Sequence, residues 1–326
     1  MRYSQSEKME IIRTVEESDL SVRRTLEELD VSRSTFYRWY HCYQDNGYDG
    51  LTNNSSSPKK FWNRIPDHIK EQVVDIALDE TDKSPRELAW HITDTQGYYI
   101  SESSVYRILK GYDLITSPAY IVLSASDKFK SPTKRIDELW QTDFTYFLIT
   151  GWGWYYLSTV LDDYSRFILS WYLTTTMTAN DVKITLDRAI EKTGVHQVTV
   201  KHKPRLLSDN GPSYLSKELK DYLENQQIKH TRGAPFHPMT QGKIERYHRS
   251  MKNVVKLQNY YFPGDLEEEI SRFVEYYNYH RYHESLNNLT PADVYYGRSR
   301  DILTKRDIIK RKTMRLRKQQ NLGVMP

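Results

Sequence analysis

Apolar residues recur at three- and four-residue spacing through most of the first 115 residues, and short β-prone runs replace that pattern from residue 137. Met9, Ile11, Ile12 and Val15 predict a helix over 7–17. Val22, Leu26 and Leu29 predict a second helix after Ser21, and Ser32 caps a third over 33–43, with only Asp30 and Val31 as a turn. The helical period returns at Ile69, Val73, Ile76 and Ala77. Ser84-Pro85-Arg86-Glu87 is a capping box with proline at the first helical position, and Leu88, Ala89 and Ile92 follow. Gly97 ends that helix, and Val105, Ile108 and Leu109 predict another over 102–110.

Beyond residue 137, runs at 139–149, 154–161 and 166–173 are joined by short turns and predict an antiparallel meander. A helix over 179–193, a strand over 203–208, a helix over 215–226 and a strand over 228–232 come next. A proline-rich loop then opens a helix near Gln241 that carries Ile244, Tyr247, Met251, Val254, Val255 and Gln258 inward. Further helices are expected over 264–286 and after Thr290-Pro291-Ala292-Asp293. Two stretches cannot build a core. Residues 51–63 hold Asn53-Asn54-Ser55-Ser56-Ser57-Pro58 and read as a linker. Residues 116–136 carry Lys128, Lys130, Lys134 and Arg135 and read as a basic connector. The expected organisation is 1–50, 64–115, 137–297 and a basic tail over 298–326.

Charge adds little in total and more in its distribution. The net charge is +4 and the pI about 8.8, while residues 300–318 hold nine Lys and Arg against Asp301 and Asp307. Such a tail binds phosphate backbone, stays disordered until it does, or docks as a partly helical arm on another subunit. One cysteine, Cys42, excludes a disulfide framework or a cysteine zinc site within one chain. No run reaches the ~18 apolar residues of a membrane helix, so a soluble, cytoplasmic protein is expected.

Both helical segments fit a helix-turn-helix pattern, whose second helix enters the DNA major groove. The first would present Arg33, Ser34, Thr35 and Arg38, and the second Ser103, Ser104 and Arg107. A plain helical bundle with a charged face explains the same pattern.

Three acids stand in unusual company. Asp143 lies inside the β-prone run Leu139-Trp140-Gln141-Thr142-Asp143-Phe144. Asp209 falls where a short apolar strand meets the turn Asn210-Gly211-Pro212. Glu245 is an acid on a helix crowded with Lys243, Arg246, Arg249, Lys252 and Lys256, where an ordinary surface pair with Arg249 is the bland reading. Three carboxylates from two strands and a helix suit a pair of Mg²⁺ ions in phosphoryl transfer. Asp162 and Asp163 read instead as a turn, with Arg166 as the salt-bridge partner.

The segments Trp140-Gln141-Thr142-Asp143-Phe144-Thr145, Leu161-Asp162-Asp163-Tyr164-Ser165-Arg166, Ser208-Asp209-Asn210-Gly211 and His237-Pro238-Met239-Thr240-Gln241-Gly242-Lys243-Ile244-Glu245-Arg246 resemble the catalytic core of DDE transposases and retroviral-type integrases. They are most similar to transposases of bacterial insertion sequences, and 35 residues separate Asp209 from Glu245, as in that family. The resemblance implies an α/β, ribonuclease H-like fold: a mixed five-stranded sheet with flanking helices, preceded by two all-α helix-turn-helix modules. It implies Asp143, Asp209 and Glu245 as catalytic metal ligands, with two Mg²⁺ ions that Mn²⁺ can replace. It implies Lys243, Arg246, Arg249 and Lys252 as clamps on the DNA backbone, with His237 and Gln241 near the terminal bases. Tyr277-Asn278-Tyr279-His280-Arg281-Tyr282-His283 matches a family motif and reads as packing beneath the core. Partners would be double-stranded DNA, as element ends and target, and further copies of the chain in a homodimer or larger assembly, with no membrane and no small-molecule substrate. A hydrolysing nuclease and an inactive, transposase-derived regulator stay as alternatives.

Overall fold

Ser4 begins the first helix with a reciprocal cap: its hydroxyl accepts the Glu7 amide, and the Glu7 carboxylate accepts the Ser4 amide. That helix, α1 (Gln5–Glu17), packs with α2 (Val22–Glu28) and α3 (Arg33–Asn46) around Ile12, Leu26, Phe36, Trp39 and Leu51. Residues 1–62 form one compact unit and 63–326 another. The computed structural model describes residues 3–53, 61–115, 133–196, 203–232, 241–255, 260 and 262–323. Among them, no helix is long and apolar enough to cross a membrane.

The second unit starts with three helices, α4 (Asp67–Asp79), α5 (Pro85–Gln96) and α6 (Glu102–Gly111), closed around Val73, Leu88, Ile92, Val105 and Leu109. The Ser84–Glu87 capping box forms as its spacing predicts. The sheet follows. Strands β1 (Leu139–Ile149), β2 (Gly153–Asp162) and β3 (Ile168–Thr174) make the antiparallel meander, and β4 (Arg205–Ser208) and β5 (Lys229–Arg232) run parallel to β1. The strand order is β3-β2-β1-β4-β5, a mixed sheet with β1 at its centre. Helices cover both faces. On one, α7 (Ala179–Thr193) and α9 (Lys217–Asn225), which follows the single turn α8 (Pro212–Leu215), pack on Trp140, Val160 and Leu206. On the other, α10 (Gly242–Val255) and α11 (Pro263–Glu275) pack on Phe147, Ile149, Leu157 and Ile168.

Ile244, Tyr247, Met251 and Val255 are buried as the helical period requires; Val254, expected inward, is exposed, and Gln258 lies outside the described residues. The expected helix over 264–286 is shorter. It ends at Glu275, passes through a π-turn over Tyr276–His280, and gives way to a tight turn at Asn287 and Asn288, both with left-handed backbone. Asparagine tolerates that conformation better than most residues. The motif that begins at Tyr277 does pack the core. Asn278 donates to the Ile168 carbonyl (3.1 Å) and accepts the Ile168 amide (2.8 Å), satisfying groups of the edge strand that lack a strand neighbour.

The C-terminal segment differs most from its composition. It is a 24-residue helix, α13 (Ser299–Leu322), after the short α12 (Pro291–Tyr295). Arg306, Thr313 and Arg317 are buried on one side of it against residues of the same chain.

His283 stacks edge-on against Tyr277 and has no hydrogen-bond partner for Nε2. Burial, with Arg281, Arg166 and Arg86 nearby, lowers its imidazole from 6.5 to about 3. The unfolded chain then takes up a proton below pH 6.5 that the fold refuses, so stability falls with pH, by up to about 1.4 kcal/mol per unit. Asp162 acts in the opposite sense, because burial raises its carboxyl to about 6. That contribution is common to wild type and a His283→Gln variant. Denaturation at pH 7 and pH 4.5 should show the wild-type advantage over His283→Gln shrinking at the lower pH; a gap independent of pH would refute the buried neutral imidazole.

Candidate active site

The register of the parallel pair β1–β4 brings two of the three acids together. It sets Gln141 beside Leu207, so Asp143, within β1, and Asp209, just past the end of β4, each two residues further on, come to lie side by side. Asp143 accepts the Phe144 amide, and Asp209 accepts the Gly211 amide, both at 2.9 Å. A Cβ at Gly211 would lie 3.1 Å from the Asp209 carboxylate, so the turn there is tight. Asp209 is exposed as a residue, yet partial desolvation of its carboxyl, then the charge of Asp143, raise it above the ordinary carboxylate range. Burial and a like charge both disfavour ionisation.

The third acid arrives on α10. Gln141 donates to Asp163 Oδ1 (2.7 Å) and accepts the Ile244 amide (3.1 Å) at the start of that helix. Lys243 Nζ lies 2.7 Å from both the Asp163 carboxylate and its backbone carbonyl. Thr133 donates a further bond to the same carboxylate (2.6 Å). This lock holds the first turn of α10 on the sheet and leaves Glu245 pointing outward. An open cleft of about 490 Å³ results, lined by Asp143, Phe144, Thr145, Glu245, His248, Arg249, Lys252 and Asn253.

Lys243, expected as a clamp on DNA, has its ammonium 2.7 Å from the Asp163 carboxylate, and both side chains are largely buried. Asp163, in turn, is part of the α10 anchor and not simply a turn residue. Gln241, expected near DNA bases, is buried with its amide 3.4 Å from the Thr142 carbonyl. His237 and Lys256 lie outside the described residues. Arg246 and Arg249 are exposed, and Lys252 is half-buried with its ammonium 4.4 Å from the Tyr146 ring centre. On the helical modules, Arg33, Ser34, Arg38, Ser103 and Arg107 are exposed, and Thr35 and Ser104 half-buried.

One cleft residue escaped the sequence reading. His248 is buried, with Nδ1 3.4 Å from Asp143 Oδ2 and Nε2 without a partner. The signal was present: three residues beyond Glu245, it falls on the same helix face as Glu245 and Lys252.

The donor chemistry suits a hard divalent cation, since carboxylate oxygens are its preferred ligands. The repulsion between Asp143 and Asp209 is the kind a cation offsets. Among the described residues, however, no three His, Cys, Asp or Glu stand close enough to form a ready ligand group. Asp143 and Asp209 are paired, and Glu245 shares the cleft with Asp143; the full trio is not drawn together.

The mixed sheet and its helical layers are those of an integrase-type core, which two homeodomain-like helical modules precede in the chain. The chain matches the integrase core domain over residues 134–238 and again over 226–291, and homeodomain-like domains over 2–52 and 35–109. It is thus similar to DDE transposases and integrases. A putative transposase, InsK, for insertion sequence element IS150 of Escherichia coli is 28% identical over 49% of this chain and 54% of its own length. The transposase for transposon Tn552 of Staphylococcus aureus is 23% identical over 77% of this chain and 56% of its own length. The chain therefore spans little more than half of either relative, and matches only 6% of a squirrel monkey retrovirus Gag-Pro-Pol polyprotein. The HTLV-2 integrase catalytic core domain solved with magnesium is 22% identical, with a TM-score of 0.40 over 49% of this chain and 97% of its own.

The α10 anchor is directly testable. Lys243→Met leaves the Asp163 carboxylate buried without its cation and should cost about 3 kcal/mol in urea denaturation. Loss of DNA affinity with unchanged stability would show instead that Lys243 serves DNA.

Proposed function

We propose that the chain is a DNA transposase that binds the ends of an insertion sequence, cuts a strand there and joins the freed 3′ end to target DNA. The observation that carries this reading is the strand register that pairs Asp143 with Asp209 beside a cleft holding Glu245. Asp143, Asp209 and Glu245 are the residues that would hold two divalent cations, Mg²⁺ or Mn²⁺. Bound there, such ions activate the attacking oxygen and offset the charge that builds on the phosphate. The chain's own groups do the rest.

Arg249 and Lys252 line the same cleft, and Arg246 is exposed beside them on α10. They bind the backbone near the scissile phosphodiester, and the exposed residues of α3 and α6 read the end sequence. In the first step a water oxygen attacks phosphorus and the 3′ oxygen departs as a free 3′-OH. In the second, that 3′-OH attacks a target phosphodiester and displaces the target's own 3′ oxygen. Both are displacements at phosphorus, and neither needs a covalent enzyme intermediate. Joining two ends calls for two such clefts, hence a dimer or larger assembly on DNA.

The decisive assay joins a labelled, pre-cut element end to plasmid DNA with Mg²⁺ or Mn²⁺. Glu245→Gln should lower joining by at least about 10³-fold while end binding is kept. Cutting without joining in the wild type would favour a hydrolytic nuclease. Binding without either would favour an inactive regulator. In parallel, Arg249→Ala should leave stability within about 0.5 kcal/mol and reduce the salt dependence of DNA binding by about one phosphate contact. An unchanged salt slope would remove Arg249 from the interface.

A further inference from the structure

Arg306 sits where three parts of the second unit meet. Its Nε and Nη2 donate to the two carboxylate oxygens of Asp94 on α5, at 2.8 and 2.6 Å. Its Nη1 donates to the carbonyls of Asn288 (2.9 Å) and Asn287 (3.4 Å), in the turn that follows the core helix α11. The guanidinium lies 4.6 Å from the Trp90 ring centre and 5.5 Å from that of Tyr282. The Tyr282 hydroxyl completes the group by donating to Asp94 (3.1 Å). The Arg306 side chain is only 5% exposed.

A buried ion pair is a poor way to gain stability, since desolvation consumes most of the attraction. It is an effective way to fix orientation. A bidentate guanidinium–carboxylate pair admits one distance and one plane, unlike an apolar contact, which tolerates sliding. Further along α13, Arg317 donates to the Tyr98 hydroxyl and the Tyr99 carbonyl, both at 2.7 Å, and Thr313 accepts the Tyr99 amide. Helix α13 therefore holds the turn between α5 and α6 as well as α5 itself. The first helical unit, residues 1–62, is a separate compact body.

We infer that Asp94 and Arg306 are positioning residues: they fix the second helical module against the integrase-type core, so that DNA held by α6 enters the cleft in one register. The inference rests on the transposase reading and adds to it a rule for where the strand is cut. Of the two DNA-reading modules, the second sets the cut position, and the first contributes affinity for the end.

The test has two arms. In the first, spin labels at Glu102→Cys and Asn253→Cys, in a Cys42→Ser background of the full chain, report the distance from α6 to the cleft by pulsed electron resonance. One narrow distribution is expected, broadened several-fold by Asp94→Ala. A broad distribution in the parent overturns the inference whether or not the protein cuts DNA. In the second arm, cut positions on a labelled element end are mapped to the nucleotide. Asp94→Ala, and the milder Arg306→Lys that keeps the charge and loses the fork, should bind the end within about threefold of wild type. They should cut the native phosphodiester about 10²-fold less and spread cuts to its neighbours. A variant that folds and cuts more weakly at the same single phosphodiester overturns the inference, leaving Arg306 a stability residue. A wild type that does not cut refutes the transposase reading, and the distance measurement then judges the coupling alone.

Discussion

Everything in the cleft depends on how the first turn of α10 is fastened to the sheet. Ile244 is buried beneath it, Gln141 accepts its amide, and Lys243 reaches across to Asp163. These contacts come from β1, from the end of β2 and from α10 itself, so they exist only once the meander has formed. They fix the helix in rotation as well as position. With Lys243 and Ile244 turned inward, Glu245 has no direction left but outward, into the space beside Asp143. Loss of the lock would free the helix to turn about its axis, and a rotation of one residue is enough to remove the carboxylate from the cleft.

The site also sets opposing electrostatic demands against one another. Two aspartates side by side repel, and part of that cost appears as the raised carboxyl of Asp209. Arg249 and Lys252 stand in the same cleft as Asp143 and Glu245. The helix thus delivers Glu245 to the cleft together with the cations that moderate its charge. His248 lies between these groups, its imidazole against Asp143 and its other nitrogen buried without a partner. An unsatisfied buried polar atom carries a cost, and functional sites are where such costs are tolerated.

The C-terminal helix shows how composition can mislead. Nine cations in some twenty residues suggest an arm for nucleic acid. Two of them, Arg306 and Arg317, turn inward to carboxylate, carbonyl and aromatic partners on the second helical module. The remainder stay on the outer faces. A single helix therefore joins one part of the chain by its arginines while keeping a basic surface toward solvent.

Local pattern determined a great deal in this protein. The bounds of β1 and α7, the capping boxes at Ser4 and Ser84, the buried face of α10 and the strand-end setting of Asp209 are short-range consequences of period, caps and turns. The candidate acids were legible because each sits in a local context that sterics and turn chemistry make distinctive. Which basic residue of α10 is consumed inside the fold was not legible, because the partner of Lys243 lies 80 positions away and nothing beside Lys243 in the chain distinguishes it from Arg249. Arg306 meets Asp94 across 212 positions, and His248 gains meaning only from a strand more than a hundred residues earlier. Helical period tells which face of an element is apolar; it does not tell what charge waits on the surface it meets. Sequence alone therefore set the elements and named the acids, while tertiary structure decided which charges are consumed inside the fold and which remain for a substrate, because ion pairing is settled by distance in space and not along the chain.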